Sequence, residues 1–244
     1  MHRAKKARIS EGDETPLAYR PNPIRIRFGS NRFSAFFSFV LIISVVLIFS
    51  NLKPEIFFNE SSIPADDGRL LGHFPYKEAQ QADLISVYPG FKVHRDVIKD
   101  LKAMRKAALR EGIELVLLSG YRSIPLQKEI FYENKSIRNQ IAIERARVSA
   151  PPGYSEHSTG FAIDIGDRTM RKTDFEVEFE NTPAFNWLKK NAARYHFVLS
   201  FPEGNSQNVS YEPWHWRYEG SVNALKEFQP ANKRQIEWQQ NQDY

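Results

Sequence analysis

Residues 33–50 carry no charge, and their only polar side chains are four serines. This run divides the chain before any other feature is read. A helix over eighteen residues, at about 1.5 Å rise each, reaches about 27 Å, close to the hydrocarbon thickness of a bilayer. Eight basic residues precede it (Arg3, Lys5, Lys6, Arg8, Arg20, Arg25, Arg27, Arg32). The positive-inside rule therefore predicts a single-pass anchor in the cytoplasmic membrane, with a cytoplasmic N-terminus and an extracytoplasmic or periplasmic folded part. A cleaved signal peptide competes with this reading, but the 32-residue polar lead is long for one and no small-x-small cleavage site follows the run. A buried core helix is a third reading, disfavoured because no polar face interrupts the apolar residues. The expected organisation is a basic tail over 1–32, a transmembrane anchor over 33–52, a stalk over 53–72, a folded domain over 73–228 and a polar, fraying tail over 229–244.

The net charge of +5 invites a nucleic-acid reading, which its placement removes. Residues 1–53 hold nine basic and three acidic residues, and the remaining 25 basic and 26 acidic residues leave the rest of the chain at −1. A basic tail ahead of an apolar run follows from membrane topology and needs no phosphate partner. With no cysteine in the chain, disulfides, thiolate metal sites and iron–sulfur chemistry are excluded. Any metal site must use His, Asp or Glu.

Apolar spacing predicts a helix over 93–111 that Gly112 ends, then a short buried strand over 113–118. Helices are expected over 124–134, opened by Pro125, over 141–148, and over 182–194 with Pro183 in its first turn. Strands are expected over 161–165, 197–201 and 209–218. Helices lead and most strands follow, which predicts an α+β domain with a small, mainly antiparallel sheet.

Three segments concentrate chemistry. In Pro152-Gly-Tyr-Ser-Glu-His-Ser-Thr-Gly-Phe-Ala-Ile-Asp164, Asp164 stands between Ile163 and Ile165 of a strand, where a carboxylate is costly unless paired or coordinating. His157, seven residues earlier, can share a cation with it if Gly160 turns the chain back. A hydrogen-bonded structural acid and a structural histidine are the alternative. In Tyr211-Glu-Pro-Trp-His-Trp-Arg-Tyr218, Glu212 and His215 sit among aromatic residues that can wall off a polar site and raise a carboxyl pKa. An aromatic core strand with a buried histidine is equally open. In Ser119-Gly-Tyr-Arg-Ser123, Arg122 ends a buried strand, placed either for a carboxylate or developing oxyanion or for a structural ion pair. Ser123 and Gln127 are weaker polar candidates. Together the segments supply the N and O donors that a catalytic zinc requires. Neither a Gly-x-Ser-x-Gly elbow nor a glycine-rich phosphate loop occurs.

On these three motifs, in this order, residues 84–220 resemble the VanY-type D-alanyl-D-alanine carboxypeptidases, a zinc peptidase family that includes LdcB-like L,D-carboxypeptidases. The resemblance implies the α+β fold shared with Hedgehog-type domains. It implies Zn2+ held by His157, Asp164 and His215, with Glu212 as general base and acid and Arg122 polarising the scissile carbonyl. Ser155, Gln127, Ser123 and Tyr121 fall at or beside positions of substrate contact. The implied substrates are peptidoglycan stem peptides ending in D-alanine, with D,D or L,D linkage; a non-catalytic wall-binding module on the same fold is the alternative. The chain departs from the pattern at Tyr195-His-Phe197, where the family reads Tyr-Gly-Phe, and at Ser200-Phe-Pro202, where it reads Arg-Tyr-Pro. His196 is accordingly expected outside the site, and His2, His73 and His94 have no motif around them.

Overall fold

The structure, a computed structural model, describes residues 65–242, so the expected tail, membrane span and most of the stalk lie outside the described residues. In chain order it forms β1 (Leu84–Tyr88), β2 (Phe91–His94), α1 (Ile98–Arg110), β3 (Leu115–Ser119), α2 (Ile124–Ile137) and α3 (Ala142–Ala146). These are followed by β4 (Ala162–Asp167), α4 (Pro183–Asn191), β5 (Phe197–Leu199), β6 (His215–Tyr218) and α5 (Val222–Gln240). The strands make one four-stranded antiparallel sheet in the order β3-β4-β6-β5 and a separate β1-β2 hairpin. The α+β expectation with an antiparallel sheet holds. Among the described residues no helix is long and apolar enough to cross a membrane.

Every residue of β4 is buried. Side chains alternate across a strand, so Ile163 and Ile165 enter the apolar core while Asp164 faces the opposite side. The core is completed by Leu101, Met104 and Ala108 of α1, Phe185, Trp187 and Leu188 of α4, and Ala224, Phe228 and Ala231 of α5. Capping matches the sequence: Ser123 Oγ accepts from Leu126 N at α2 (3.2 Å) and Thr182 Oγ1 from Phe185 N at α4 (3.1 Å). Gly112, at φ +77°, follows α1 in the left-handed conformation expected of a helix stop.

Several boundaries differ from expectation for physical reasons. The helix expected from 93 begins at Ile98, because Phe91–His94 pairs with β1 and brings Val93 into the core as a strand residue. The strand expected over 209–218 is only His215–Tyr218. Pro213 has no N–H for a ladder, and the chain before it turns, with Glu212 N donating to Phe201 O (3.1 Å) and His215 N to Glu212 O (3.0 Å). The fraying tail expected after Gln229 is corrected: α5 continues through Pro230 to Gln240. Phe228 and Ala231, both buried, straddle the proline, so packing outweighs the local cost of its missing donor. The end of the expected stalk is corrected as well. The Arg69 guanidinium lies 5.6 Å from the Phe74 ring, and Gly72 (φ +94°) backs onto the Gln207 carbonyl so closely that a Cβ would clash.

Candidate metal and catalytic site

Strand register makes the first contact of the site. Asp164 of β4 and His215 of β6 are directly paired residues, so their side chains emerge together from the same face of the sheet. The 3-10 turn Glu156–Thr159 brings in His157, and Gly160 closes that turn at φ +72°. Any side chain at 160 would press on His94 N and Leu84, so the turn requires glycine. Gly120, packed under Phe91 and the Lys92 carbonyl, turns its own carbonyl to His157 Nδ1 at 2.8 Å.

The result is a triangle of buried donors. His157 Nε2 lies 3.1 Å from Asp164 Oδ2 and His215 Nδ1 lies 3.1 Å from Asp164 Oδ1. The two imidazole rings stand perpendicular with centroids 4.7 Å apart. One donor atom from each residue falls within 4.8 Å of the others. The outer nitrogens fix which inner atoms are free to ligate. A carbonyl only accepts, so His157 Nδ1 carries the proton toward Gly120 O and leaves Nε2 facing inward. Likewise, His215 Nε2 donates to the Glu156 carboxylate (3.0 Å), leaving Nδ1 inward. Two imidazole nitrogens and one carboxylate oxygen, each oriented by a partner behind it, fit the three-ligand set of a catalytic zinc with a position left open.

The electrostatics agree with a cation in this place. Burial favours protonation of Asp164, but His157 and His215 outweigh it and hold its carboxyl far below the usual carboxylate range. Burial pushes the His157 imidazole down, partly opposed by Asp164. Burial also acts downward on His215, yet its bonds to Asp164 and Glu156 push it up to about 10. The pair of carboxylates thus draws positive charge to His215, charge that a divalent ion can supply in exchange for a proton.

Glu212 stands beside this triangle, Oε2 3.8 Å from His215 Nδ1, with its side chain only 14% exposed. Burial raises its pKa to about 8, with Asp164 and Glu156 adding to the rise and His215 opposing it. Arg122 approaches from the β3 end, with Nη2 bonded to Ser119 Oγ (3.0 Å), Nη1 to Gln127 Oε1 (3.0 Å), and Asp164 Oδ2 at 3.9 Å. The groups open into one cavity of about 750 Å³, walled by Phe175, Phe201, Tyr211 and Trp214 on its apolar side. A second cavity of about 650 Å³, along α4 and β5, contains none of these donors.

The other expected site residues separate by position. Ser155 is buried and lines the cavity. Gln127 is fully buried behind Arg122, its amide donating to Ser149 Oγ (3.2 Å) and Ala150 O (2.7 Å), so it supports the guanidinium from outside the cavity lining. The Ser123 hydroxyl caps α2, and Tyr121 donates to Glu78 Oε1 (2.6 Å) away from the cavity. Of the four expected aromatic walls, Tyr211 and Trp214 line the site, whereas Trp216 and Tyr218 belong to the core. His196 is exposed and pairs with Asp100 (2.9 Å), as expected of a residue outside the site.

Glu156 was missed by the sequence reading. Fully enclosed, it accepts from His215 Nε2, from Ser200 Oγ (2.5 Å) and from Arg217 Nη1 (3.1 Å), with Tyr76 Oη at 3.4 Å. Burial raises its pKa, but Arg217 and His215 outweigh that and bring it to about 2. Its adjacency to His157 in the motif was the available signal. Its partner 59 residues away could not be read from spacing.

Comparison with known proteins bears on this geometry. The profile described as VanY: D-alanyl-D-alanine carboxypeptidase matches residues 90–221. The putative carboxypeptidase YodJ of Bacillus subtilis is 38% identical over 137 residues, 54% of this chain and 48% of that protein. The chain spans between 37% and 62% of the length of the curated relatives it matches. The solved structure of the LdcB LD-carboxypeptidase superposes with a TM-score of 0.55 at 30% identity, covering 68% of this chain and 81% of that one. A vancomycin-resistance D,D-pentapeptidase VanY variant in complex with Zn(II) superposes with a TM-score of 0.50 at 25% identity, covering 63% and 87%. With the profile covering more than half of its length and all three motifs, this chain belongs to the VanY D-alanyl-D-alanine carboxypeptidase family.

Proposed function

We propose that the protein is a zinc carboxypeptidase that removes the C-terminal D-alanine from peptidoglycan stem peptides. The observation that carries this reading is the convergence of His157, Asp164 and His215 beside a largely enclosed Glu212 and facing Arg122 in a single cavity. When bound, zinc supplies a Lewis acid that acidifies water and polarises a carbonyl. Within this reading Glu212 takes the proton from the attacking water and returns it to the leaving D-alanine amine. Arg122, held in place by Ser119 and Gln127, aims its guanidinium at the carbonyl oxygen where negative charge develops. Trp214, Tyr211 and Phe201 exclude bulk water from the reacting atoms.

Mass spectrometry of muramyl tetra- and pentapeptides incubated with the full chain tests this reading. Loss of one D-alanine that stops on chelation and returns with zinc is the expected result, and the peptide that shortens assigns L,D or D,D linkage. No cleavage of either peptide by folded, zinc-loaded protein refutes it. The same reading extends to a membrane anchor at 33–52 with the domain held outside the cytoplasm, where assembled peptidoglycan lies. Protease digestion of spheroplasts or protoplasts before and after lysis tests that topology, and digestion of the domain only after lysis contradicts it.

A further inference from the structure

We propose that Arg145, with Arg138 at its rim, forms a subsite in the cavity wall for a carboxylate carried by the bound peptide. Arg145 lines the same cavity as His157, Asp164, His215 and Glu212. It is only 6% exposed, its buried Nε has no hydrogen-bond partner, and among the described residues no acid pairs with it. The acids of the cavity are engaged elsewhere or far toward solvent. Asp164 is held by two imidazoles, Glu156 by His215, Ser200 and Arg217, Glu212 stands next to His215, and Glu176 is exposed. Arg122 on this wall, by contrast, has hydrogen-bond partners in Ser119 and Gln127 and an acid, Asp164 Oδ2, at 3.9 Å.

A buried guanidinium cannot escape its charge by losing a proton, so an unpaired one is stable only if something anionic completes it. Burial and the charge of Arg138 both disfavour the cation at Arg145, and no acid opposes them. Nor is the side chain carried on a loose segment. Next to it, Ala146 O accepts from His73 Nε2 (2.7 Å), and Arg147 O accepts from Ser210 N (2.8 Å), so the C-terminal end of α3 is tied to the body at two consecutive carbonyls. The planar fork of arginine matches a carboxylate bidentately. A stem peptide offers several such groups, among them its terminal carboxylate and, where the diamino acid is diaminopimelate, a side-chain carboxylate upstream.

The subsite takes its peptide ligand from the carboxypeptidase reading, but its anion chemistry rests on Arg145 alone. The test compares the zinc-loaded full chain with its Arg145→Met and Arg145→Lys variants, after zinc content and melting temperature are shown to match. Two peptides are used that differ only in whether the penultimate diamino acid carries a side-chain carboxylate (diaminopimelate) or lacks it (lysine). Arg145→Met is expected to raise KM and lower kcat/KM about 10- to 100-fold, with Arg145→Lys restoring part of the loss. A fall confined to the diaminopimelate peptide assigns the subsite to the side-chain carboxylate, and an equal fall on both assigns it to a carboxylate that the two peptides share. Unchanged kinetics on both peptides overturns the subsite while leaving hydrolysis intact. If the parent protein cleaves neither peptide, calorimetric binding of both to parent and Arg145→Met decides. Binding weakened by the variant keeps the subsite and removes the hydrolytic reading, and equal binding removes the subsite.

Discussion

Replacing Glu156 by Gln separates the metal site from the core that supports it. The native carboxylate sits between two cationic groups, His215 Nε2 at 3.0 Å and Arg217 Nη1 at 3.1 Å, and takes a third bond from Ser200. Glutamine keeps the shape and one accepting oxygen but removes the charge, and its NH2 group cannot accept from either cation. Breaking a buried pair by removing one partner costs about 3–5 kcal/mol when the remaining charge is uncompensated. Here Arg217 keeps Glu219 at 2.7 Å, so the expected loss of stability is lower, about 2–3 kcal/mol. At the site, His215 loses the ionised acceptor that fixes its ring and raises its basicity. Partners of this kind typically change metal affinity about 10- to 100-fold.

Urea unfolding and zinc competition against a chelator read the two effects on the same protein. A zinc affinity within twofold of the parent would refute the positioning role of Glu156. A stability change with no affinity change would assign Glu156 to Arg217 alone. If both fall as stated, the buried chain Arg217–Glu156–His215 links the core to the metal donors.

Three other outcomes follow from named contacts. Glu212→Gln is expected to leave zinc content unchanged by elemental analysis while kcat falls about 10²- to 10⁴-fold, and full activity would remove Glu212 from the proton transfer. Asp167→Ala strips Ala184 N (3.0 Å) and Thr169 N (2.7 Å) of a buried acceptor at the start of α4, with an expected loss of about 1–3 kcal/mol in urea unfolding. His196→Gly is expected to stabilise by about 1 kcal/mol. His196 holds φ +62°, a left-handed conformation that costs a non-glycine residue about 1–2 kcal/mol, and its half-exposed Asp100 contact returns less than that. A drop in urea midpoint for this variant would show that the Asp100 contact dominates.

The outcome at residue 196 also shows what a sequence makes legible. The glycine that the resembling pattern places there is explained once φ is known, but a histidine in the chain carries no mark of a left-handed backbone. The metal donors were legible for a different reason. Asp164 is a carboxylate between two isoleucines, and such an acid must be paired or coordinated wherever the strand goes. His157 and His215 lie in short segments crowded with turn and aromatic residues, so their convergence needed only one glycine turn and one strand register. The supporting residues were not legible by the same logic. Ser123 and Tyr121 flank Arg122 in sequence, yet one caps α2 and the other points to Glu78, because neighbours along an irregular segment diverge in direction. Glu156, beside His157, faces away from His157's inward nitrogen and toward His215, 59 residues on.

The helix after Gln229 failed to appear in the sequence reading because Pro230 and the surrounding polar residues describe only local cost. The gain comes from Phe228 and Ala231 meeting the core, with Phe228 edge-on to Tyr76, 152 positions earlier, and to Phe161, 67 positions earlier. Arg145 belongs to the same class. Among 34 basic residues nothing distinguishes it in the sequence, and its lack of a partner exists only in three dimensions. Chemistry that depends on one residue's type in a hostile local setting can be read from the chain. Chemistry that depends on which distant partner is present, or missing, requires the fold.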